Sequence, residues 1–142
     1  MHLTLFFLGD TPQSSLNGLR DSLDELARSA KPFTLSLGAM GCFPTCHQPR
    51  VLWVGLGQGF AEARALKAKL DQRLKPLGWE PEKRLYNPHL TIGRARRQAR
   101  LPALNISRDL PTLSWQAAKI NLYQSELTSS GPRYTVRHTA IF

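Results

Sequence analysis

The sequence predicts an α+β fold in which two related lobes, each a mostly antiparallel sheet with an outer helix, meet at a groove. Three observations carry this. The four-residue pattern histidine–apolar–threonine–apolar occurs twice, at His2-Leu3-Thr4-Leu5 and at His89-Leu90-Thr91-Ile92. Two leucine- and alanine-rich stretches have helical spacing. The remaining apolar stretches alternate as strands do. The two copies start 87 residues apart, too far for a local repeat, so they suggest a duplicated unit.

In each copy, alternation puts the His and its Thr on one strand face and the apolar pair on the other. Leu3, Leu5, Leu90 and Ile92 should then enter the core. Residues 2–8 read as the first strand, ended by Gly9-Asp10. Thr11 should N-cap a helix whose first residue is Pro12. Leu16, Leu19, Leu23 and Leu26 carry that helix to about residue 29, and Lys31-Pro32 breaks it. Phe33 to Leu37 alternates as a strand running on toward Met40, and Gly41 to Pro49 reads as a loop. Arg50 to Val54 is an apolar strand, and Gly55 to Gly59 a glycine-rich turn.

A second helix follows at about 60–76. Phe60, Ala63, Leu66, Leu70 and Leu74 form its buried stripe, with Lys67, Lys69 and Arg73 off it. The second His strand covers about 89–93. Arg94 to Pro111 is a basic, irregular connection. Strands at about 112–126 and 133–141 close the chain around the turn Thr128 to Pro132. Phe33–Leu37 looks like a counterpart of Thr112–Trp115, and 50–54 of 133–141. Each lobe would then offer one His and one Thr to a shared groove.

A chain of 142 residues suits one domain with a real core. Nineteen Lys and Arg against ten Asp and Glu give a formal charge of +9, which favours a polyanionic partner, RNA or another phosphate ligand first. Cys42 and Cys46 are too few for a disulfide framework, so a reducing cytoplasm is the expected compartment. No apolar run reaches transmembrane length. The start lacks a basic n-region and reads as strand, not signal peptide.

Two His and two Thr in one groove suit metal-free cleavage of a phosphodiester. A neutral imidazole can activate water while a protonated one protonates the departing oxygen. Threonine hydroxyls can donate to the non-bridging oxygens. Arg94, five residues beyond His89, can add a charge-assisted contact. Other features count for less. Gly55-Leu56-Gly57-Gln58-Gly59 lacks the third glycine of a dinucleotide loop, because Phe60 stands there, so it reads as a tight turn. Cys42, Cys46 and His47 lack a fourth metal ligand and read as loop packing. His138 reads as structural. Arg94, Arg96, Arg97 and Arg100 are either a solvated run or a contact to an RNA backbone.

The paired motifs, His2 to Gly9 and Pro88 to Arg94, resemble the signatures of the 2H phosphoesterase superfamily. The closer resemblance is to the RNA 2′,3′-cyclic phosphodiesterase or 2′-5′ RNA ligase family, and it covers essentially the whole chain. Arg50 to Val54 and Arg133 to Val136 are also similar to that family. The resemblance implies a bilobal fold with no metal and no cofactor. It implies that His2 is the proton donor to the leaving 3′-oxygen and His89 the proton acceptor. Thr4, Thr91 and Arg94 would bind substrate. A 2′,3′-cyclic phosphate would open to a 2′-phosphate, and the reverse reaction would give 2′-5′ ligation. The implied partners are RNA ends, tRNA fragments among them, or a small cyclic nucleotide, with no membrane and a monomeric chain. Family members normally carry about one more strand and a helix before the first motif, so an unpaired sheet edge is expected beside His2. The competing readings are a non-catalytic RNA-binding module and a 2H enzyme restricted to small cyclic nucleotides.

Overall fold

The computed structural model describes residues 2–96, 102–103, 113–129 and 131–142. Among the described residues it is α+β, with a four-stranded sheet, a two-stranded sheet and two α-helices. The chain divides into two compact units. One comprises Met1–Phe7, Thr34–Lys67 and Lys83–Gln116, the other Leu8–Phe33, Ala68–Glu82 and Ala117–Phe142.

The first unit holds the four-stranded sheet. Its strands are β1 (Phe33–Pro44), β2 (Pro49–Leu56), β3 (His89–Arg94) and β4 (Ser114–Ala117), in the order β3-β2-β1-β4. The β1–β2 and β2–β3 pairs are antiparallel. The β1–β2 ladder reaches Pro44 and Pro49, so most of the expected loop at 41–49 is hairpin strand. One face of the sheet carries the buried Cys42, Val54 and Leu90. Beyond β2 the chain turns so sharply that a Cβ on Gly59 would collide with the Thr34 carbonyl, and Gly59 has φ +81°. The Gly59 carbonyl then accepts the Ala63 amide and starts α2 (Phe60–Leu74). This is a turn set by close approach, as expected for that glycine-rich stretch.

The second unit packs α1 (Leu16–Arg28) on the antiparallel hairpin β5 (Lys119–Thr128) and β6 (Gly131–Ile141). Leu19, Leu23, Leu26 and Ala27 of the helix and Ile120, Leu122 and Ala140 of the hairpin are buried. His138 of β6 sits 2.7 Å from an Asp24 carboxylate oxygen on α1, the structural role expected of it.

Several elements differ from the sequence reading. Residues 2–9 belong to no strand. A strand needs ladder partners for its backbone, and here side chains take those acceptors. The Thr4 carbonyl accepts from the Tyr86 hydroxyl at 2.9 Å, and the Leu8 carbonyl from the Trp79 indole at 3.0 Å. Thr11 caps no helix, because its hydroxyl donates back to the Gly9 carbonyl; the chain makes a 3-10 turn at Gln13–Ser15 before α1 begins. The single strand expected at 112–126 is two, β4 and β5, assigned to different sheets. Thr112 lies outside the described residues. Lys67 is not off the helix stripe. It is buried at 7% exposure, and position 67 does fall on the 63–66–70–74 stripe by helical spacing. Its chemistry, not its position, misled the reading. Cys42 and Cys46 are joined by a disulfide, because the hairpin turn brings their Cα atoms to 5.0 Å. Finally, both His motifs fall in the first unit, whereas one per lobe was expected.

Candidate active site

The site is built on the face of the four-stranded sheet opposite its buried core. His89 opens β3 and pairs with Gly55; Thr91 pairs with Trp53. Residues opposite each other in an antiparallel pair share a face, so His89, Thr91, Trp53 and Gly55 stand together. On the neighbouring strand, Gly41 pairs with Trp53 and Phe43 with Val51, which adds Gly41 and Phe43 to that face. Gly41 is there for space. A Cβ on it would overlap the six-membered ring of Trp53, so glycine alone lets the indole lie over β1.

The indole and Phe43 then wall in the imidazole. The Phe43 ring is edge-on to His89 at 5.3 Å between centroids, and Trp53 is edge-on at 6.0 Å. His89 Nδ1 lies 2.7 Å from the Asn87 carbonyl oxygen. A carbonyl only accepts, so Nδ1 carries the proton in that bond. The neutral ring consequently holds its lone pair on Nε2. Ring walls and backbone acceptor together fix both the plane and the tautomer of the imidazole.

The β2–β3 register slips between Leu52 and Trp53. Leu52 pairs with Gly93 and Trp53 with Thr91, and Ile92 is the extra residue of a β-bulge. This corrects the expectation that Ile92 enters the core beside Leu90. Leu90 is 4% exposed, but Ile92 is 49% exposed. The bulge has a consequence that alternation from His89 does not give. Arg94 pairs with Val51, on the same face as Trp53, and so joins His89 and Thr91. In an unbroken strand Arg94 would stand on the opposite face.

The first motif is held differently. His2 is exposed, and Leu3, Thr4 and Leu5 are half-buried, so neither leucine reaches the core depth expected of it. The Thr4 carbonyl bond to Tyr86 ties the segment to a residue three positions before His89. Lys67 Nζ stands over the Phe6 ring at 4.9 Å and over the Tyr86 ring at 5.8 Å from the centroids. Burial pushes the Tyr86 phenol well above its ordinary pKa, so it stays a donor. Sequence reasoning missed Tyr86, Trp53, Phe43 and Gly41. Tyr86 lies close to the second motif in sequence, whereas Gly41, Phe43 and Trp53 reach His89 only through the register of β1, β2 and β3.

Arg96 is exposed; Arg97 and Arg100 lie outside the described residues. Among the described residues, no group of three or more His, Cys, Asp or Glu side chains is placed to hold a metal ion. No helix of the described residues is long and apolar enough to cross a membrane.

Known proteins give this geometry its context. A model of the 2′-5′ RNA ligase superfamily matches residues 1–128. The RNA 2′,3′-cyclic phosphodiesterase of Aeropyrum pernix is 33% identical over 137 residues, covering 94% of this chain and 77% of the relative. The protein of the same name from Thermus thermophilus is 35% identical over 143 residues, covering 96% and 69%. Among solved structures, a Thermus thermophilus protein superposes with TM-score 0.78 at 33% identity, over 99% of this chain and 76% of that one. E. coli LigT complexed with 3′-AMP superposes with TM-score 0.68 at 25% identity, over 99% and 75%.

Proposed function

Because the chain belongs to the 2′-5′ RNA ligase superfamily, we propose that its two His motifs form one metal-independent site that opens RNA 2′,3′-cyclic phosphates. The chain is a hydrolase of the 2H phosphoesterase group, as its relatives named RNA 2′,3′-cyclic phosphodiesterase support. The finer reading assigns roles to residues. His89 Nε2 takes a proton from water as the water oxygen attacks phosphorus. The bond from phosphorus to O3′ breaks, and His2 gives that oxygen its proton. The products are a 2′-phosphate and a free 3′-hydroxyl. Thr4 and Thr91 donate to the non-bridging oxygens, and Arg94 adds a charge-assisted contact. If a 5′-hydroxyl replaces water, the same steps give 2′-5′ ligation. RNA ends are the proposed substrates, with the chain acting as one domain and a monomer.

The observation that carries this reading is the His89 Nδ1 bond to the Asn87 carbonyl. It leaves Nε2 as the basic nitrogen, on the face that also bears Thr91 and Arg94. A base with its tautomer fixed this way is arranged for proton transfer and not for packing alone. The complex of E. coli LigT with 3′-AMP agrees with a nucleotide phosphate as ligand for the fold.

The experiment is cyclic-phosphate opening with a mononucleotide and an oligoribonucleotide, chelator present, across pH. Turnover should survive the chelator. kcat/KM should be bell-shaped, because one His must be neutral and the other charged. Loss of activity on chelation, or a monotonic profile, would overturn the paired-imidazole mechanism. RNA binding without turnover would favour a binding module. Turnover of the mononucleotide alone would restrict the enzyme to small cyclic nucleotides.

A further inference from the structure

Tyr86 and Lys67 stand outside the reacting groups, yet they hold one of the two motifs. The segment that carries His2 and Thr4 has no β-ladder, and side-chain bonds help to set its position. The Tyr86 hydroxyl donates to the Thr4 backbone carbonyl at 2.9 Å. That bond fixes the peptide unit of the very residue proposed to hold phosphate. Tyr86 is itself tied by chain continuity to β3, three residues before His89. Lys67 stands over the rings of both Phe6 and Tyr86, the residues on either side of this junction. It does so at 7% exposure, from the buried stripe of α2. Burying an ammonium costs free energy that an apolar residue at the same helical position would avoid. An aromatic pair facing the charge offsets part of that cost, and gains in return a common anchor for both rings.

We infer that Tyr86, backed by Lys67, is a positioning pair that sets the first His–Thr motif against the second, acting through the Thr4 carbonyl and the Phe6 ring. The inference rests on the proposed two-motif site and adds the residues that assemble it. Neither side chain exchanges a proton with substrate. Their effect is to hold His2 and Thr4 in the productive geometry, and a misplacement of about 1 Å can cost about 100-fold in rate.

The test is a set of mild substitutions read as coupling. Tyr86→Phe removes the hydroxyl and keeps the ring, so the protein should still fold. It should lower kcat/KM for a 2′,3′-cyclic mononucleotide by roughly 10-fold. In a Thr4→Val background the same change should cost less, because one of the two groups it positions has already been removed. In a Thr91→Val background it should cost its full effect. Lys67→Met should follow the same pattern, and Lys67→Arg should lie closer to wild type. A second measurement needs no turnover. Amide exchange at Thr4 to Phe6 should accelerate in Tyr86→Phe while that of Leu90 to Gly93 stays unchanged. Wild-type rates in Tyr86→Phe, equal losses in both threonine backgrounds, or uniform acceleration of exchange would overturn the positioning role. The parent reading fails separately, through an inactive wild type or fully active His2→Ala and His89→Ala proteins. In that event the exchange measurement still decides whether Tyr86 holds the segment.

Discussion

The two His–apolar–Thr–apolar segments share a sequence pattern and differ in everything that holds them. The second is a strand of a four-stranded sheet, paired residue by residue with β2. Its imidazole is walled by Phe43 and Trp53 and bonded to the Asn87 carbonyl. The first has no assigned strand, and a tyrosine hydroxyl takes its Thr4 carbonyl. The same four-residue pattern can therefore recur without encoding how the backbone beneath it is fixed. A ladder holds a motif through many small, cooperative bonds. A side-chain anchor such as the Tyr86 hydroxyl on the Thr4 carbonyl holds it through individual bonds, and the loss of one is felt directly.

The strongest way to break the comparison is to remove each imidazole in turn. His89→Ala and His2→Ala should each cost about 10²–10⁴ in kcat/KM, the usual worth of a positioned acid or base. Each should also remove its own limb of the pH profile. If one replacement leaves both limbs and the rate intact, the motifs are not equivalent in chemistry, and the difference in how they are held reflects a difference in role.

The second motif can also be broken through the strand packed beside it. Gly41→Ala places a methyl group where the Trp53 ring lies. Trp53 must shift, and it is the residue paired with Thr91 and packed against His89. Overpacking of this kind costs about 1–3 kcal/mol of stability. The loss in kcat should exceed what that destabilisation explains at a temperature where the variant stays folded. A thermal melt beside a rate measurement checks this. An unchanged rate with a lowered Tm would mean that the indole supports the sheet and not the imidazole.

How much of this was legible in the sequence follows from the same contrast. Alternation and helical spacing are local signals, and they located β1, β2, β3, both helices and the β5–β6 hairpin. They also named the two His and two Thr as one chemical set. What they could not locate depends on partners distant in sequence. Residues 2–8 alternate like a strand, but a strand exists only where another strand supplies hydrogen bonds, and here Tyr86 and Trp79 do so instead. Ile92 alternates correctly too, yet a bulge set by its pairing with β2 turns it out and brings Arg94 in. Lys67 looked solvated because lysines usually are, although its position on the helix stripe was readable. Sequence named the groups proposed to do the chemistry, and the backbone register decided which neighbours joined them.

Replacing the hydroxyls gives a smaller effect. Thr4→Val and Thr91→Val keep shape and lose one donor each, so each should lower kcat/KM by roughly 10-fold or less, below either His replacement. Thr91 sits on a ladder and Thr4 does not, so Thr4→Val should show the larger rise in KM with temperature as its segment loosens. Equal temperature dependence would mean that the side-chain anchor holds as firmly as the ladder.

The smallest effect concerns charge, where the two motifs also part company. Five residues beyond His89 stands Arg94; five residues beyond His2 stands Phe7, 72% exposed. Only the second motif brings a cation, and the Ile92 bulge puts it on the His89 face. Arg94 would then touch the phosphate that every substrate shares. Arg96, exposed two residues further on, could meet only backbone beyond it. Arg94→Ala should therefore weaken a cyclic mononucleotide and an oligoribonucleotide by similar factors. Arg96→Ala should leave the mononucleotide unchanged and weaken the oligonucleotide modestly. It should reduce the slope of log K against log salt by about 0.7, the single-strand counterion release for one phosphate contact. Affinities of both ligands at two salt concentrations, for wild type and the two variants, separate the roles. If Arg94→Ala affects the oligonucleotide alone, Arg94 tracks backbone and the bulge does not serve the reacting phosphate. If Arg96→Ala affects both ligands equally, the basic run begins inside the site, and the boundary between chemistry and RNA tracking lies further along the chain than Arg94.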